Sequence, residues 1–549
     1  MRHKKQTMRK IFTTLFMASG LLSLHTESSA QITKVADYKN NYSAPIGTFM
    51  GVSFREAGFS ALAVIPGTDG KEFWTCSDRG VNVDCASANP AGCKPTYDKM
   101  FCFPSYAPKI HRVKIQGDSV QILKTITVKR PNATATVGYL LPTGFGSTAT
   151  EEASTDTVLD CANFAAKRAP KDAWSIDCEA IAVDKKGNFW IAEENGPSIW
   201  KLDANGVALN RYSPYANLAG AQAEDILIDT AFKYRKNNRG FENMTIAPNG
   251  KVYAIIQSPL LYPTKAVGEA TRVHRMIEID PATNATRMFV YLNDGVIGTG
   301  ANQIRLQDWK LGDMTAINDT TFLVLEAAAR GTTDIKRMYM ININGATVVN
   351  SGLYGGVTLE ALVDSAGLAG AGVKAVKKSL TMDLLANGWD AALDKAEGVT
   401  IINDSTIAFC NDNDFGQNCP SANGIPVATT NLSHIVVYSL KGANKIPNFI
   451  APSAPVSIGT APVSAAALTL YPNPAADKAL LAISTEKAEQ ANVHVMDLQG
   501  KIVYTAENTQ LKAGHNEVEL STTGWQNGLY FVRVATANGT VAAKLIVMH

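Results

Sequence analysis

Glu179-Ala-Ile-Ala-Val-Asp-Lys-Lys-Gly187-Asn-Phe-Trp-Ile-Ala-Glu193 is answered further along the chain by Glu242-Asn-Met-Thr-Ile-Ala-Pro-Asn-Gly250-Lys-Val-Tyr-Ala-Ile-Ile-Gln257. In both, an acid opens a short apolar run, a glycine turn follows, and a second apolar run ends on an acidic or polar residue. That is the pattern of a β-hairpin with a tight turn. A third unit runs from Asp313 through Asn318-Asp319 to Glu326, a fourth from Glu397 through Asn403-Asp404 to Asp412, and a weaker fifth from Ser60 through Gly70 to Asp78. Internal repetition of hairpins over a long chain predicts radially stacked sheets, and hence an all-β propeller.

Hairpin geometry turns the repeat into a site. The start of the first strand and the end of the second lie side by side, so Glu179 with Glu193, Asp313 with Glu326, and Glu397 with Asp412 are expected to pair at one end of their hairpins. Radial stacking would bring those ends together around a channel. The acidic set read from this pattern is Glu179, Glu193, Glu242, Glu326, Glu397 and Asp412, with Asp78 beside it. Arg79 and Arg239 offer planar forks able to clamp a phosphate or carboxylate, or alternatively salt bridges that tie loops to nearby acids.

The chain has 549 residues, 46% hydrophobic and 18% charged, too apolar for disorder and long enough for several domains. Five basic residues precede the apolar run Ile11 to Leu24 and the small residues Ser28-Ser29-Ala30, the pattern of a cleaved signal peptide over residues 1–30. Without those residues 46 basic and 48 acidic groups remain. No cluster of Lys and Arg stands out to neutralise a run of phosphates, which argues against nucleic acid as a partner. No later run is long and apolar enough to span a membrane, and nothing calls for an oligomer rather than a monomer.

All eight cysteines follow the signal, and in an exported chain disulfides are the first reading. Local pairing is the simplest expectation: Cys161 with Cys178, Cys410 with Cys419, and two bonds among Cys76, Cys85, Cys93 and Cys102. Residues 31–450 hold only His111, His274 and His434, and with no Cys-x-x-Cys spacing a zinc site is poorly supported. Carboxylates in a histidine-poor channel suit a hard cation, Ca²⁺ before Zn²⁺. Asp412-Asn413-Asp414 resembles a piece of a calcium loop but lacks the later glycine and glutamate. No Gly-x-Ser-x-Gly elbow, His-Glu-x-x-His or phosphate-binding glycine loop is present.

Residues 446–467 (IPNFIAPSAPVSIGTAPVSAAA) are nearly uncharged and rich in Pro, Ser and Ala, the composition of an extended linker between a body at 31–445 and a module at 468–549. Short alternating strands in that module (Leu468 to Leu470, Ala491 to Asp497, Gly500 to Thr505, Glu517 to Leu520, Leu529 to Ala535, Val541 to Val547) predict a small antiparallel β-sandwich.

On Ser77-Asp78-Arg79-Gly80, Glu179-Ala-Ile-Ala with Trp190-Ile-Ala-Glu193, Asn238-Arg-Gly-Phe-Glu242, Leu325-Glu326 with Arg330, Lys378-Ser-Leu, and Glu397-Gly-Val with Asn411-Asp-Asn-Asp-Phe-Gly416, the body resembles the phytase-like family of secreted bacterial proteins. The resemblance spans about residues 50–418 and implies a propeller that hydrolyses ester or phosphoester bonds, with acids around its channel. It would give Glu179, Glu242, Glu397 and Arg239 catalytic roles, Asp78, Arg79 and Arg330 substrate contacts, and Glu193, Glu326 and Asp412 a metal. Two departures stand out: Gln257 replaces the closing acid of the second hairpin, and Glu326-Ala-Ala-Ala-Arg330 replaces a compact Leu-Glu-Arg. The module resembles the type A sorting domain of the type IX secretion system on Leu470-Tyr-Pro-Asn-Pro474, Val495-Met-Asp-Leu-Gln-Gly-Lys501, Leu511-Lys-Ala-Gly514 and Gly528-Leu-Tyr-Phe-Val532. That implies the export machinery as a partner and a secreted or surface-attached product. Two other functions remain open on sequence: a non-catalytic propeller binding a glycan or protein, and a lactone or sugar-ester hydrolase.

Overall fold

A computed structural model describes residues 31–83, 92–93, 97–158, 160–393, 395–418, 427–454, 467–485, 487–498, 501–536 and 539–549. The signal-peptide segment lies outside the described residues. Each hairpin of the repeat forms the inner half of a four-stranded antiparallel blade, giving five blades among the described residues. The first has strands Ala63–Val64, Glu72–Cys76, Lys109–Gln116 and Ser119–Thr127; the second Cys178–Val183, Phe189–Glu193, Ser198–Leu202 and Ala208–Ser213. The third has Thr245–Ile246, Val252–Ile255, Val273–Asp280 and Ala285–Leu292; the fourth Lys310–Ala316, Thr321–Arg330, Thr333–Asn342 and Lys377–Asp383. The fifth has Lys395–Asn403, Thr406–Asp412 and His434–Leu440, and takes its outer strand, Ile32–Tyr42, from ahead of the first blade.

That last strand closes the ring. Ile32 to Lys39 pair antiparallel with Leu440 to His434, while Lys39 and Tyr42 also pair in parallel with Ser119 and Gln121 on the outer edge of the first blade. The five inner strands neighbour one another in sequence around the axis, the fifth returning to the first. At the turns Gly187 and Gly250 take φ of +80° and +86°.

Alternation along each second strand explains how one short apolar run serves two interfaces. Phe189 and Ile191 pack toward the first blade, while Trp190 and Ala192 pack toward the third. Tyr253 and Ile255 face the fourth blade, and Val252, Ala254 and Ile256 the second. Phe322 and Val324 face back to the third, whereas Leu323 and Leu325 join Phe409 and Tyr438 of the fifth. Cys410 and Ala408 meet Phe73 and Val113 of the first. Strands buried on both faces need apolar residues at every position, and each large side chain so buried stabilises the fold by roughly 1.5–3 kcal/mol.

The cysteine pairings expected from proximity in sequence do not form. Cys161 is bonded to Cys93 across 68 residues, Cα to Cα 4.9 Å, joining the insertion between the second and third strands of the first blade to the segment between the first and second blades. Cys76, Cys102, Cys178 and Cys410 are buried free thiols; Cys85 and Cys419 lie outside the described residues. All four thiols fill core positions, as small apolar side chains do: Cys410 Sγ sits 3.1 Å from the Phe59 carbonyl instead of reaching a partner sulfur.

Residues 467–547 form two antiparallel sheets, a three-stranded one ordered Ala467–Tyr471, Lys478–Thr485, Gly514–Ser521 and a four-stranded one ordered Ile502–Leu511, Glu489–Met496, Gly528–Thr536, Gly539–Val547. Leu481, Ile483, Val493, Val495, Val532 and Leu545 meet between them in a common core. This is the expected sandwich, with Lys478–Thr485 as a strand that the sequence reading passed over. Among the described residues no helix is long and apolar enough to cross a membrane.

Candidate active site

Each acid-bearing inner strand carries a register shift at its acid. The ladder of the second blade slips between Cys178 and Ala180, that of the fourth between Leu311 and Met314, and that of the fifth between Ala396 and Val399. Bulges re-aim side chains, and here they turn Glu179 and Asp313 away from Glu193 and Glu326, whereas Glu397 and Asp412 stay together in one pocket. A pocket of about 390 Å³ results at one end of the channel, lined by Asp78, Asp177, Glu179, Glu194, Glu242, Glu397, Asp412 and Asp414, with Arg79, Lys99, Lys310 and Lys395 among them.

Of the residues expected from sequence, Asp78, Arg79, Glu179, Glu242, Glu397 and Asp412 come together in this pocket. Glu193 does not line it: its carboxylate accepts from the Asn195 amide at 2.8 Å and the Gly196 amide at 2.6 Å, closing its own turn. Glu326 is held by Tyr291 Oη, the Asp294 amide at 2.7 Å and Lys378 Nζ. The bulges therefore separate Glu179 from Glu193, and Asp313 from Glu326, where flat hairpins would pair them. Arg330, at the end of a ten-residue strand, lies 3.7 Å from Asp308, outside the pocket. Arg239 also stays outside the lining, with its Nη1 buried and lacking a hydrogen-bond partner.

Sequence reading missed Asp177, Glu194, Lys310 and Lys395. The first two directly flank expected acids or strand ends, and an acid one residue out of phase was the available signal. The lysines carried none, because a lysine at the start of a strand is ordinarily solvated.

Charge organises the pocket. Arg79, 4% exposed, donates from Nη2 to Asn238 Oδ1 at 2.6 Å, and its Nε lies 3.2 Å from Asp177 Oδ2, close in charge although not aligned as a hydrogen bond. Lys395 Nζ donates to Asp412 and to Asp414, both at 2.7 Å. Burial, and then the like charge of Asp177, pushes Asp78 well above the usual carboxylate range. Burial with Glu242 does the same to Glu179, and burial with Glu194 and Glu397 to Glu242. Asp412 is pushed up to about 7 by burial, with Lys395 opposing.

Three sets of carboxylates place one oxygen each within 4.8 Å of the others: Asp78, Asp177 and Glu179; Asp78, Asp412 and Asp414; and Glu179, Glu194 and Glu242. Asp177 Oδ1, Glu242 Oε2, Glu397 Oε2 and Gln257 Oε1 are buried without a hydrogen-bond partner. Orphaned buried oxygens are costly, and oxygen-only donors at this spacing fit a hard cation. The donor set thus passes the chemical test for a bound metal ion.

A family model for esterase-like activity of phytase matches residues 55–415, and one for a secretion system C-terminal sorting domain matches 469–548. An uncharacterized secreted protein of Arthroderma benhamiae is 29% identical over 126 residues, 19% of this chain and 24% of that protein, so the match spans about a quarter of the relative. Among solved structures, PorZ, a surface component of the type IX secretion system of Porphyromonas gingivalis, aligns with 91% of this chain and 62% of its own, at 11% identity and a TM-score of 0.26. A family 43 arabinoxylan arabinofuranohydrolase from Bacillus subtilis aligns with 89% of this chain and 91% of its own, at 10% identity and a TM-score of 0.31. Likenesses this slight carry no argument about function. The sorting domain marks the chain for export, to be secreted or held at the cell surface. With a match over residues 55–415 and a propeller whose channel mouth gathers the acids that carried the resemblance, the chain belongs to the phytase-like family, described by esterase-like activity of phytase.

Proposed function

We propose that the propeller hydrolyses phosphate or other esters at its acidic mouth, with Ca²⁺ held among Glu179, Glu194, Glu242, Asp78 and Asp177. The observation that carries this reading is the convergence of eight carboxylates, several with orphaned oxygens, beside Arg79, Lys310 and Lys395. Bound Ca²⁺ would supply Lewis-acid polarisation of the ester oxygens. Arg79 would receive a phosphate oxygen through its planar fork, with Asn238 and Asp177 holding that fork in place. Lys310 and Lys395, at the starts of neighbouring inner strands, would neutralise an anionic substrate among the acids. Glu397, with a free carboxyl oxygen, is placed to orient the attacking water.

The test is phosphate release from phytate and p-nitrophenyl phosphate by residues 31–549, with p-nitrophenyl acetate in parallel, in Ca²⁺ and in EDTA. Calcium-dependent phosphate release lost in Glu179→Gln supports the phosphoesterase. Acetate cleavage alone moves the reading to carboxylic esters or lactones. Gln257, standing where a further acid is expected, favours one second reading, a site that binds without turnover; saturable phytate binding with no product would establish it.

A further inference from the structure

The channel has a second end, and its chemistry is the opposite of the first. Asp313 sits between the two on the inner strand of the fourth blade. Its carboxylate accepts from the Met314 amide at 2.8 Å and the Val399 amide at 3.0 Å, so the inner strands of the fourth and fifth blades meet on one side chain. Beyond this plug lies a cavity of about 650 Å³, larger than the acidic pocket. Its walls are mainly apolar, with Ile181, Met244, Ile246, Met314, Ile401 and Trp74 drawn from all five blades and Thr245, Thr315 and Thr400 among them. Phe449 and Ile450 border it where the chain leaves the propeller, anchored by the Ile450 amide on the Ile317 carbonyl at 2.8 Å.

A channel meant only for solvent would be walled by polar groups. Apolar cavities of this kind instead take apolar occupants, and the volume falls within the roughly 300–1,000 Å³ of small-molecule sites. The mouth adds a sign. Lys185, Lys186 and Lys201 border the cavity, and none makes an ion pair among the described residues. Lys185 donates to the Pro248 carbonyl at 2.7 Å, and Lys201 lies 5.4 Å from the Trp190 ring centroid. Asp184 accepts from the Lys186 and Asn188 amides and from Trp190 Nε1, and Asp280 from the Ala282 amide; both keep their charge, so the three lysines leave one positive charge in excess at the mouth. Arg112 is neutralised by Glu72.

We propose that this end of the channel is a second binding site, for a single-chain fatty carboxylate, its hydrocarbon tail in the cavity and its carboxylate on the lysines at the mouth. The site is separate from the ester-cleaving reading and stands without it.

Titration of residues 31–549 with dodecanoate below its micelle concentration, followed by calorimetry and by the fluorescence of Trp74 and Trp190, tests the proposal. One-to-one binding is expected, at least tenfold tighter than for dodecyltrimethylammonium, and unchanged by EDTA or by Glu179→Gln. The paired surface variant Lys185→Glu/Lys186→Glu should weaken it at least tenfold with the melting temperature unchanged, and Ala182→Phe, which narrows the cavity, should do the same. If Ala182→Phe fails to fold, the lysine pair decides. Absence of saturable binding overturns the proposal, as does equal affinity for the ammonium amphiphile. Binding confined to phosphatidylglycerol vesicles, or a dimer in sedimentation that the lysine variants dissociate, would assign the surface to a membrane or a second copy instead.

Discussion

At the residue scale, the candidate site depends on backbone crowding as much as on its carboxylates. Gly240 packs directly against the Glu193–Glu194 backbone, and a Cβ there would collide with the Glu194 carbonyl. Gly240→Ala should therefore cost about 1–3 kcal/mol by overpacking, and, if the proposed cation sits between Glu194, Glu179 and Glu242, whose oxygens lie within 4.8 Å of one another, it should also lower the Ca²⁺-induced rise in melting temperature. Scanning calorimetry with and without Ca²⁺ separates the two effects: a stability loss with an undiminished calcium response would remove Glu194 from the site. Glu179→Gln has the opposite signature. It removes one of several mutually repelling buried acids, so the metal-free protein should melt higher at pH 8 while the calcium response shrinks. A lower metal-free melting temperature would make Glu179 a structural residue. Single residues were only partly legible in the sequence. Asp78, Glu179, Glu242, Glu397 and Asp412 could be read because each bounds an apolar run, whereas Lys310 and Lys395 became site residues only when the ring brought acids to them.

At the element scale, the hairpin was the legible unit and the bulge was not. Short apolar runs over 189–193 and 252–256, each preceded by a glycine turn, specify strands whatever surrounds them. A bulge, by contrast, is one extra residue whose placement depends on what the neighbouring blade offers, as the Asp313 carboxylate does in accepting from the Val399 amide. For that reason the pairing of Glu179 with Glu193, sound for a flat hairpin, gave way to Glu193 capping its own turn. The strand Ile32–Tyr42 makes a further demand. It supplies the outer edge of the fifth blade and packs Ile32, Ala36 and Tyr38 against two inter-blade clusters. A chain beginning at Ser43 should lose its cooperative melting transition in calorimetry and expose the edge of His434–Leu440 to aggregation. An unchanged transition would show that the ring holds without its closing strand.

At the scale of the whole molecule, the buried histidines and the pocket acids pull the pH dependence of stability in opposite directions: acids raised by burial gain stability as pH falls, and histidines lowered by burial lose it. His111 and His274 are fully buried, and burial lowers each to about 3. His274 is fixed as a neutral ring, with Nδ1 at 3.1 Å from the Ile256 carbonyl and Nε2 at 3.1 Å from the Asn293 amide nitrogen. The unfolded chain takes up protons on both rings below about pH 6.5 and the folded chain does not, so each removes about 1.4 kcal/mol per pH unit between there and pH 3. Melting curves of the parent and of His274→Asn from pH 7 to pH 4 isolate this share: the variant, less stable at pH 7, should gain on the parent by about that amount per pH unit as pH falls, and a difference that stays constant with pH would assign no acid sensitivity to His274. What the sequence determined by itself was local: the strand and turn rhythm of five hairpins, the sandwich after them, the acids at strand ends and the motifs of both families. Tertiary structure alone decided which acids meet, which thiols stay reduced, and that Asp313 divides the channel into an acidic mouth and an apolar one, because each depends on groups tens to hundreds of residues apart being brought within a few ångströms by closure of the ring.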